Sequence, residues 1–286
     1  MVTPKSKLGQ NFLRDQQAVR RIVAALGDCS GRTVVEIGPG LGAITRELAT
    51  NAGRVIALEV DRALAEQLSA DPSLAHSPGS AEVIVEVVDV LAFDFEAALK
   101  TAGQRLIVVG NLPYYITSPI LKKLADNASA VDRAVLMVQR EVADRVTAHP
   151  GSRDYGVLSV TLQLHGQVEQ LFTLPPSAFS PPPEVHSTVF RWRFAPRFEE
   201  LRIDRKSFLE FLRRVFALKR KTLVNNLRAA GFEAGIISQA LKSAGIDAKA
   251  RAEELPKETL AALWHSLKEQ GVIPVSGTTP SVESDL

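Results

Sequence analysis

The sequence predicts an α/β fold: a mostly parallel sheet covered by helices on both faces, with a small all-helical region after it. Three observations carry this expectation. From about Gly31 to Arg193, short β-branched runs alternate with amphipathic or Ala-rich stretches, the pattern of strands joined by crossover helices. A glycine turn, "EIGPGLG" (36–42), directly follows the first of those runs, as at strand-to-helix junctions that hold ligands. Beyond Arg197 the β-branched runs stop and apolar residues recur at helical spacing.

Five runs read as strands buried on both faces: "TVVEI" (33–37), "RVIALEV" (54–60), "EVIVEVV" (82–88), "RLIVVG" (105–110) and "RAVLMVQ" (133–139). "GAITRELATN", "RALAEQLSA", "FEAALKTA" and "SPILKKLADNA" between them read as helices, and "QREVADRVTAH" and "DYGVLSVTLQLHG" follow as two more. "VEQLFTL" and "STVFRWRF" pair as a closing antiparallel hairpin, bringing the sheet to seven strands. The second alternates Phe190, Trp192 and Phe194 with Val189, Arg191 and Arg193, which gives one apolar and one basic face.

The domain boundary is expected near Ala195–Arg197, which assigns residues 1–195 to the sheet domain, 196–271 to the helical one and 272–286 to a disordered tail. "SFLEFLRRVFALKRKTLVNNLRAAG" reads as one helix capped at Gly231. "GIISQALKSAGI" and "PKETLAALWHSLKEQG" read as two more.

Composition narrows the function. The chain has 286 residues, 45% hydrophobic and 23% charged, ordinary for a globular protein. No apolar run approaches the roughly 20 residues of a membrane span, and "MVTPKSKLGQNFLRDQQ" contains no apolar segment of signal-peptide type. The single cysteine, Cys29, allows no internal disulfide, and five scattered histidines lack ligand spacing. A cytoplasmic protein without metal or membrane partner is expected. The net charge of +2 is unevenly placed. Twelve Lys and Arg against four Asp and Glu lie between Arg191 and Arg228, a local excess of eight, so the remainder carries −6. Such a block points to a polyanionic partner or to a solvated helix face.

Gly38, Gly40 and Gly42 allow a sharp turn and a close backbone approach to a ligand. Dinucleotide-binding proteins use a similar loop, but the third glycine falls one position early for G-x-G-x-x-G, where Ala43 stands. Glu59 ends the second strand, nineteen residues after Gly40, placed to accept hydrogen bonds from ribose hydroxyls. Asp89 ends the third strand, placed to accept from an adenine amine. Acids without a neighbouring Lys or Arg suit a cationic cofactor that lacks pyrophosphate. S-adenosylmethionine fits that description and NAD fits it less well.

"GNLPYYI" (110–116) ends the fourth strand on the same carboxyl edge. The exocyclic amine of adenine is a poor nucleophile because its lone pair is delocalised into the ring. Two acceptors at its hydrogens, the Asn111 side-chain oxygen and the Leu112 carbonyl, favour a pyramidal nitrogen with that lone pair freed. Pro113 stiffens the turn and adds no competing N–H. The Tyr114 ring offers a stacking surface worth roughly 1–3 kcal/mol. No general base is needed, because alignment and fixed dipoles suffice.

Taken together and in order, "LGQNFL", "EIGPGLG", "GNLPYYI", "VQREVADR" and "FSPPPEVHS" resemble the ribosomal RNA adenine N6,N6-dimethyltransferase family over about residues 5 to 265. Within it the bacterial small-subunit branch is the most similar. The resemblance implies a Rossmann-like S-adenosylmethionine-dependent domain and dimethylation of two adjacent adenosines in the 3′-terminal hairpin loop of 16S ribosomal RNA. The enzyme would act as a monomer during small-subunit assembly. It implies Gly38, Glu59, Asp89 and Asn111 as cofactor contacts, with Asn11 and Leu13 on an arm closing over the methionine end. Leu8 stands where that arm usually has Phe. It further implies Phe179 opposite Tyr114 on the target base, and Arg220 and Lys221 on RNA phosphates with Leu223 and Leu227 in the core. Modification of large-subunit RNA, as by macrolide-resistance enzymes, and a ribosome-assembly factor acting mainly by binding are the alternatives. Methylation of DNA or of a protein amide is a further one.

Overall fold

The computed structural model describes residues 11–76 and 79–272. The expected tail, apart from Val272, and Leu8 of the arm lie outside the described residues. The strands in chain order are β1 (Phe12–Leu13), β2 (Thr33–Ile37), β3 (Arg54–Glu59), β4 (Glu82–Val87) and β5 (Leu106–Asn111). They continue with β6 (Val131–Gln139), β7 (Gly166–Leu174), β8 (Phe179–Ser180) and β9 (Ser187–Phe194). Seven of them form one sheet in the order β4-β3-β2-β5-β6-β9-β7. The pairs from β4 through to β6 are parallel, and β9 runs antiparallel to β6. The chain order reverses between β2 and β5, so the loops after these strands open a crevice at their carboxyl ends.

The strands form where the apolar runs predict them, and β2 is buried at all five positions, as expected of a strand covered on both faces. On β9, Phe190, Trp192 and Phe194 are buried as the alternation predicts, but on the other face Val189 is buried as well, Arg191 is partly buried and Arg193 is exposed. Helix Gln16–Ala25 was not expected, although its signals are present. Asp15 accepts from the Gln17 and Ala18 amides, and Ala18, Val19, Ile22 and Val23 bury one stripe against Val34, Val109 and Val135.

The described residues divide into two compact units, those of 11–143 with 167–194 and those of 144–166 with 195–272. Residues 144–166 therefore belong to the helical unit and not to the sheet domain that the expected boundary gave them. The reason is packing. Ala148, Tyr155, Val160 and Leu164 share a core with Phe208, Leu212, Leu223, Leu260 and Trp264. The long helix expected over Ser207–Gly231 is also two helices, Arg205–Val215 and Leu223–Ala229. Between Phe216 and Leu223 stand Lys219, Arg220 and Lys221, and Thr222 starts the second helix by accepting from the Asn225 amide. Among the described residues no helix is long and apolar enough to cross a membrane. None groups three or more His, Cys, Asp or Glu as a metal site.

Candidate active site

An open cleft lies at the carboxyl ends of β2, β3, β4 and β5. Gly38, Gly40, Glu59, Asp89, Asn111, Leu112, Pro113 and Tyr114 line it, as do Asn11 and Leu13. All the expected cofactor contacts are therefore in one place. Phe179 is not among the lining residues. It pairs with Leu13 in a two-stranded β1–β8 ribbon and is 4% exposed, packed with Leu13, Met137, Leu174 and Val189. In this arrangement its ring packs in the core beside the arm and not along the cleft.

The loop after β2 needs its glycines. Gly38, Gly40 and Gly42 have φ of 66°, 55° and 78°, the left-handed region that side chains disfavour. A methyl group on Gly40 would also sit 2.9 Å from two carbons of the Phe12 ring, which lines the cleft and covers the loop. On the neighbouring strand, a methyl on Gly110 would meet the Ile37 carbonyl at 2.8 Å. Gly110 lets the end of β5, and with it Asn111, approach the glycine loop.

Among the described residues, three carboxylates and no Lys, Arg or His line the cleft. Glu59 is 4% exposed and accepts from the Gly40 amide at 3.1 Å and the Asp61 amide at 2.9 Å. Burial raises its pKa against these two bonds. A carboxylate has about four lone-pair sites, so two backbone donors fix Glu59 and leave acceptor capacity for a ligand. Asp89 accepts from the Leu91 amide at 2.9 Å and is exposed to the cleft. Glu36 was not singled out in the sequence. It is 1% exposed yet lines the cleft, and it accepts from the Thr45 hydroxyl at 2.7 Å. Burial pushes its carboxyl up to about 7, partly opposed by the Thr45 bond and reinforced by the Glu59 charge. The signal for Glu36 was present: an acid in the middle of "VVEIG", where a two-faced strand should be wholly apolar.

The Asn111–Tyr114 turn is held from both ends. The Leu112 amide donates to the Met137 carbonyl at 2.9 Å, and its side chain is buried. The Pro113 carbonyl accepts from the Ile116 amide and the Thr117 hydroxyl. No described donor takes the Leu112 carbonyl, so an acceptor stays available beside Asn111. The Asn111 side chain donates through Nδ2 to the Asn11 carbonyl at 2.9 Å. Tyr114 is half-buried, with its hydroxyl 2.7 Å from the Ser187 hydroxyl. Burial raises its pKa, and that bond opposes the shift. Tyr115, another residue not foreseen, is 59% exposed at the mouth of the cleft.

In the helical unit, Lys219, Arg220 and Lys221 are exposed on the turn between the two helices, and Leu223 and Leu227 are fully buried beneath it.

The family description "Ribosomal RNA adenine dimethylase" matches residues 1–269. The chain is 57% identical over 267 residues to the ribosomal RNA small subunit methyltransferase A of Acidobacterium capsulatum, covering 93% of this chain and 92% of that one. It is 47% identical over 276 residues to the protein of the same name from Koribacter versatilis, covering 93% and 95%. Among solved structures it resembles a dimethyladenosine transferase from Plasmodium falciparum, with TM-score 0.74, 22% identity and coverage of 91% and 98%, a likeness of fold. It also resembles the 23S rRNA methyltransferase ErmE, with TM-score 0.65, 25% identity and coverage of 90% and 100%. With nearly its whole length matched and relatives this similar over nine-tenths of both chains, the protein belongs to the ribosomal RNA adenine dimethylase family.

Proposed function

We propose that this chain transfers methyl groups from S-adenosylmethionine to the N6 amines of two adjacent adenosines in the 3′-terminal hairpin loop of 16S ribosomal RNA. It would do so in the cytoplasm, as a monomer, during small-subunit assembly. One observation carries the reading: Asn111, the Leu112 carbonyl and Tyr114 meet in a cleft where, among the described residues, that carbonyl has no donor and the lining holds three carboxylates and no cation. The much higher identity to relatives named for the small subunit than to the 23S enzyme supports the choice of RNA.

The cleft suits the cofactor by charge. Bound there, S-adenosylmethionine supplies a methyl group on a positively charged sulfur, which leaves as a neutral thioether. Glu59 would accept from the ribose hydroxyls and Asp89 from the adenine amine, and the Gly38–Gly40 backbone would approach closely. Asn11 and Leu13 would close the methionine end. The target adenine must leave its stack to reach the cleft, so single-stranded loop RNA is the natural substrate. Tyr114 stacks on the extruded base, and Asn111 Oδ1 with the Leu112 carbonyl accepts the two amine hydrogens. The nitrogen lone pair then forms the new N–C bond while the C–S pair returns to sulfur. The ammonium so formed loses a proton to water, and a second round completes the dimethyl product. No side chain changes protonation state; the protein contributes alignment and fixed dipoles.

The test is incubation of the protein with labelled S-adenosylmethionine and undermethylated small subunits, followed by mapping of the label. Two adjacent N6,N6-dimethyladenosines in the 3′-terminal loop are expected. Label confined to large-subunit RNA, or absent, overturns the reading.

A further inference from the structure

An amide side chain has a donor end and an acceptor end of almost the same shape, and only its neighbours decide which end faces where. Methyl transfer as proposed requires that the oxygen of Asn111 face the amine. Turned over, the same side chain would present N–H groups to N–H groups. The structure contains a device that settles this. Asn111 Nδ2 lies 2.9 Å from the Asn11 carbonyl, and a carbonyl can only accept. The nitrogen must face it, and the oxygen is left for the cleft that Asn111 lines.

The carbonyl is itself held in place. The two residues after it form β1, with Phe12 opposite Ser180 and Leu13 opposite Phe179. The Arg14 amide donates to the Ala178 carbonyl at 2.8 Å. Leu13 is 7% exposed in the core, and the Phe12 ring lies against Gly40. The arm is thus fixed to the sheet's edge loop on one side and to the glycine loop on the other, with its carbonyl presented between them.

We propose that the main-chain carbonyl of Asn11 is a positioning group that selects the catalytic orientation of the Asn111 amide. Docking of the arm is then a requirement of methyl transfer, separate from its part in holding the cofactor. The proposal rests on the reading of Asn111 given above and adds the residue that orients it.

Asn111→Asp tests it through a pH profile. An ionised carboxylate has acceptors only and opposes the Asn11 carbonyl. A protonated one donates its O–H to that carbonyl and offers its other oxygen to the amine. With cofactor and RNA saturating, the single-turnover rate of Asn111→Asp should fall by about tenfold per pH unit above the introduced carboxyl's pKa. The wild-type amide does not titrate and should show no such limb. Removing residues 1–13 should slow the wild type and abolish the extra slope of Asn111→Asp. Leu13→Ser, which loosens β1 without deleting it, should shift both in the same direction if the deletion does not fold. The proposal is overturned if Asn111→Asp follows the wild-type profile, or if its falling limb survives loss of the arm. An Asn111→Ala enzyme as fast as wild type would instead overturn the parent reading.

Discussion

Asn111 sits at the last position of β5, paired with Met137, where the ladder ends and a side chain can turn into the cleft. If its oxygen is one of two preorganised dipoles, Asn111→Ala should slow methyl transfer by at least ~10², the usual loss for one such group. Affinity for S-adenosylmethionine and RNA, measured by calorimetry and filter binding, should stay within a few-fold. An inactive Asn111→Ala protein that still restores subunit maturation in cells would favour a binding-only assembly role. Glu36 makes a separate prediction. Its folded pKa of about 7 lies above its ordinary 4.5, so the native state keeps a proton that the unfolded chain has released. That contribution is fully present below about pH 4.5 and is lost as pH rises through 7, on the order of 3 kcal/mol in total. Urea unfolding should show the ligand-free protein losing stability from pH 5 to 8, and Glu36→Gln should flatten the trend. A cationic ligand reverses the preference by favouring the ionised carboxylate. Cofactor affinity should therefore tighten as pH rises through 7 in the wild type and not in Glu36→Gln.

The sheet strands were legible because each is a β-branched run too short for a helix and bounded by turn residues. The glycine loop and the Asn-Leu-Pro-Tyr turn were legible because each demands residue types that ordinary packing does not. What escaped has physical causes. Helix Gln16–Ala25 was overlooked beside a motif already read as an arm, though Asp15 caps it. The burial of Phe179 in the β1–β8 ribbon was not legible, because sequence cannot show which side of a two-residue strand faces the core. The long basic helix was misjudged because Lys and Arg are good helix formers, which hid the break at Phe216–Thr222. That break is built by a buried side chain. Asn226 is 2% exposed, accepts from the Leu218 amide at 2.7 Å and donates to the Leu218 and Thr222 carbonyls at 3.2 and 3.4 Å. Arg220 within it adopts φ of 64°, a left-handed conformation that costs a non-glycine residue roughly 1 kcal/mol or more. Asn226→Ala strips the turn of these partners and should lower stability by about 1–3 kcal/mol in urea unfolding. It should also weaken RNA binding by releasing Lys219, Arg220 and Lys221 from a fixed spread. Unchanged stability would show that the turn holds its shape by other means.

At the scale of the whole chain, charge and chemistry are divided between the two units. The cleft of the sheet unit is acidic, while the basic block between Arg191 and Arg228 falls mostly in the helical unit. Not all of that block is available to a partner. Arg191 pairs with Glu169, Arg197 with Glu200 and Glu258, and Arg214 with Glu210, and Arg205 donates to His165. These cations serve the fold, and their exposed pairs add little stability. Lys219, Arg220 and Lys221 are different: they are exposed and in no ion pair among the described residues. Phosphate contacts release counterions, so each one adds about 0.7–0.9 to the slope of log affinity against log salt. Reversing Arg220 and Lys221 to Glu should therefore reduce that slope by about 1.4–1.8 and weaken RNA binding most at low salt. Calorimetry with S-adenosylmethionine should show no change, because neither residue lines the cleft. If the reversal left the salt slope intact, the turn would be a solvated surface and RNA recognition would have to be sought on other residues. If it weakened the cofactor as well, the two functions would not be separable by unit, and the division of charge along the chain would have another cause.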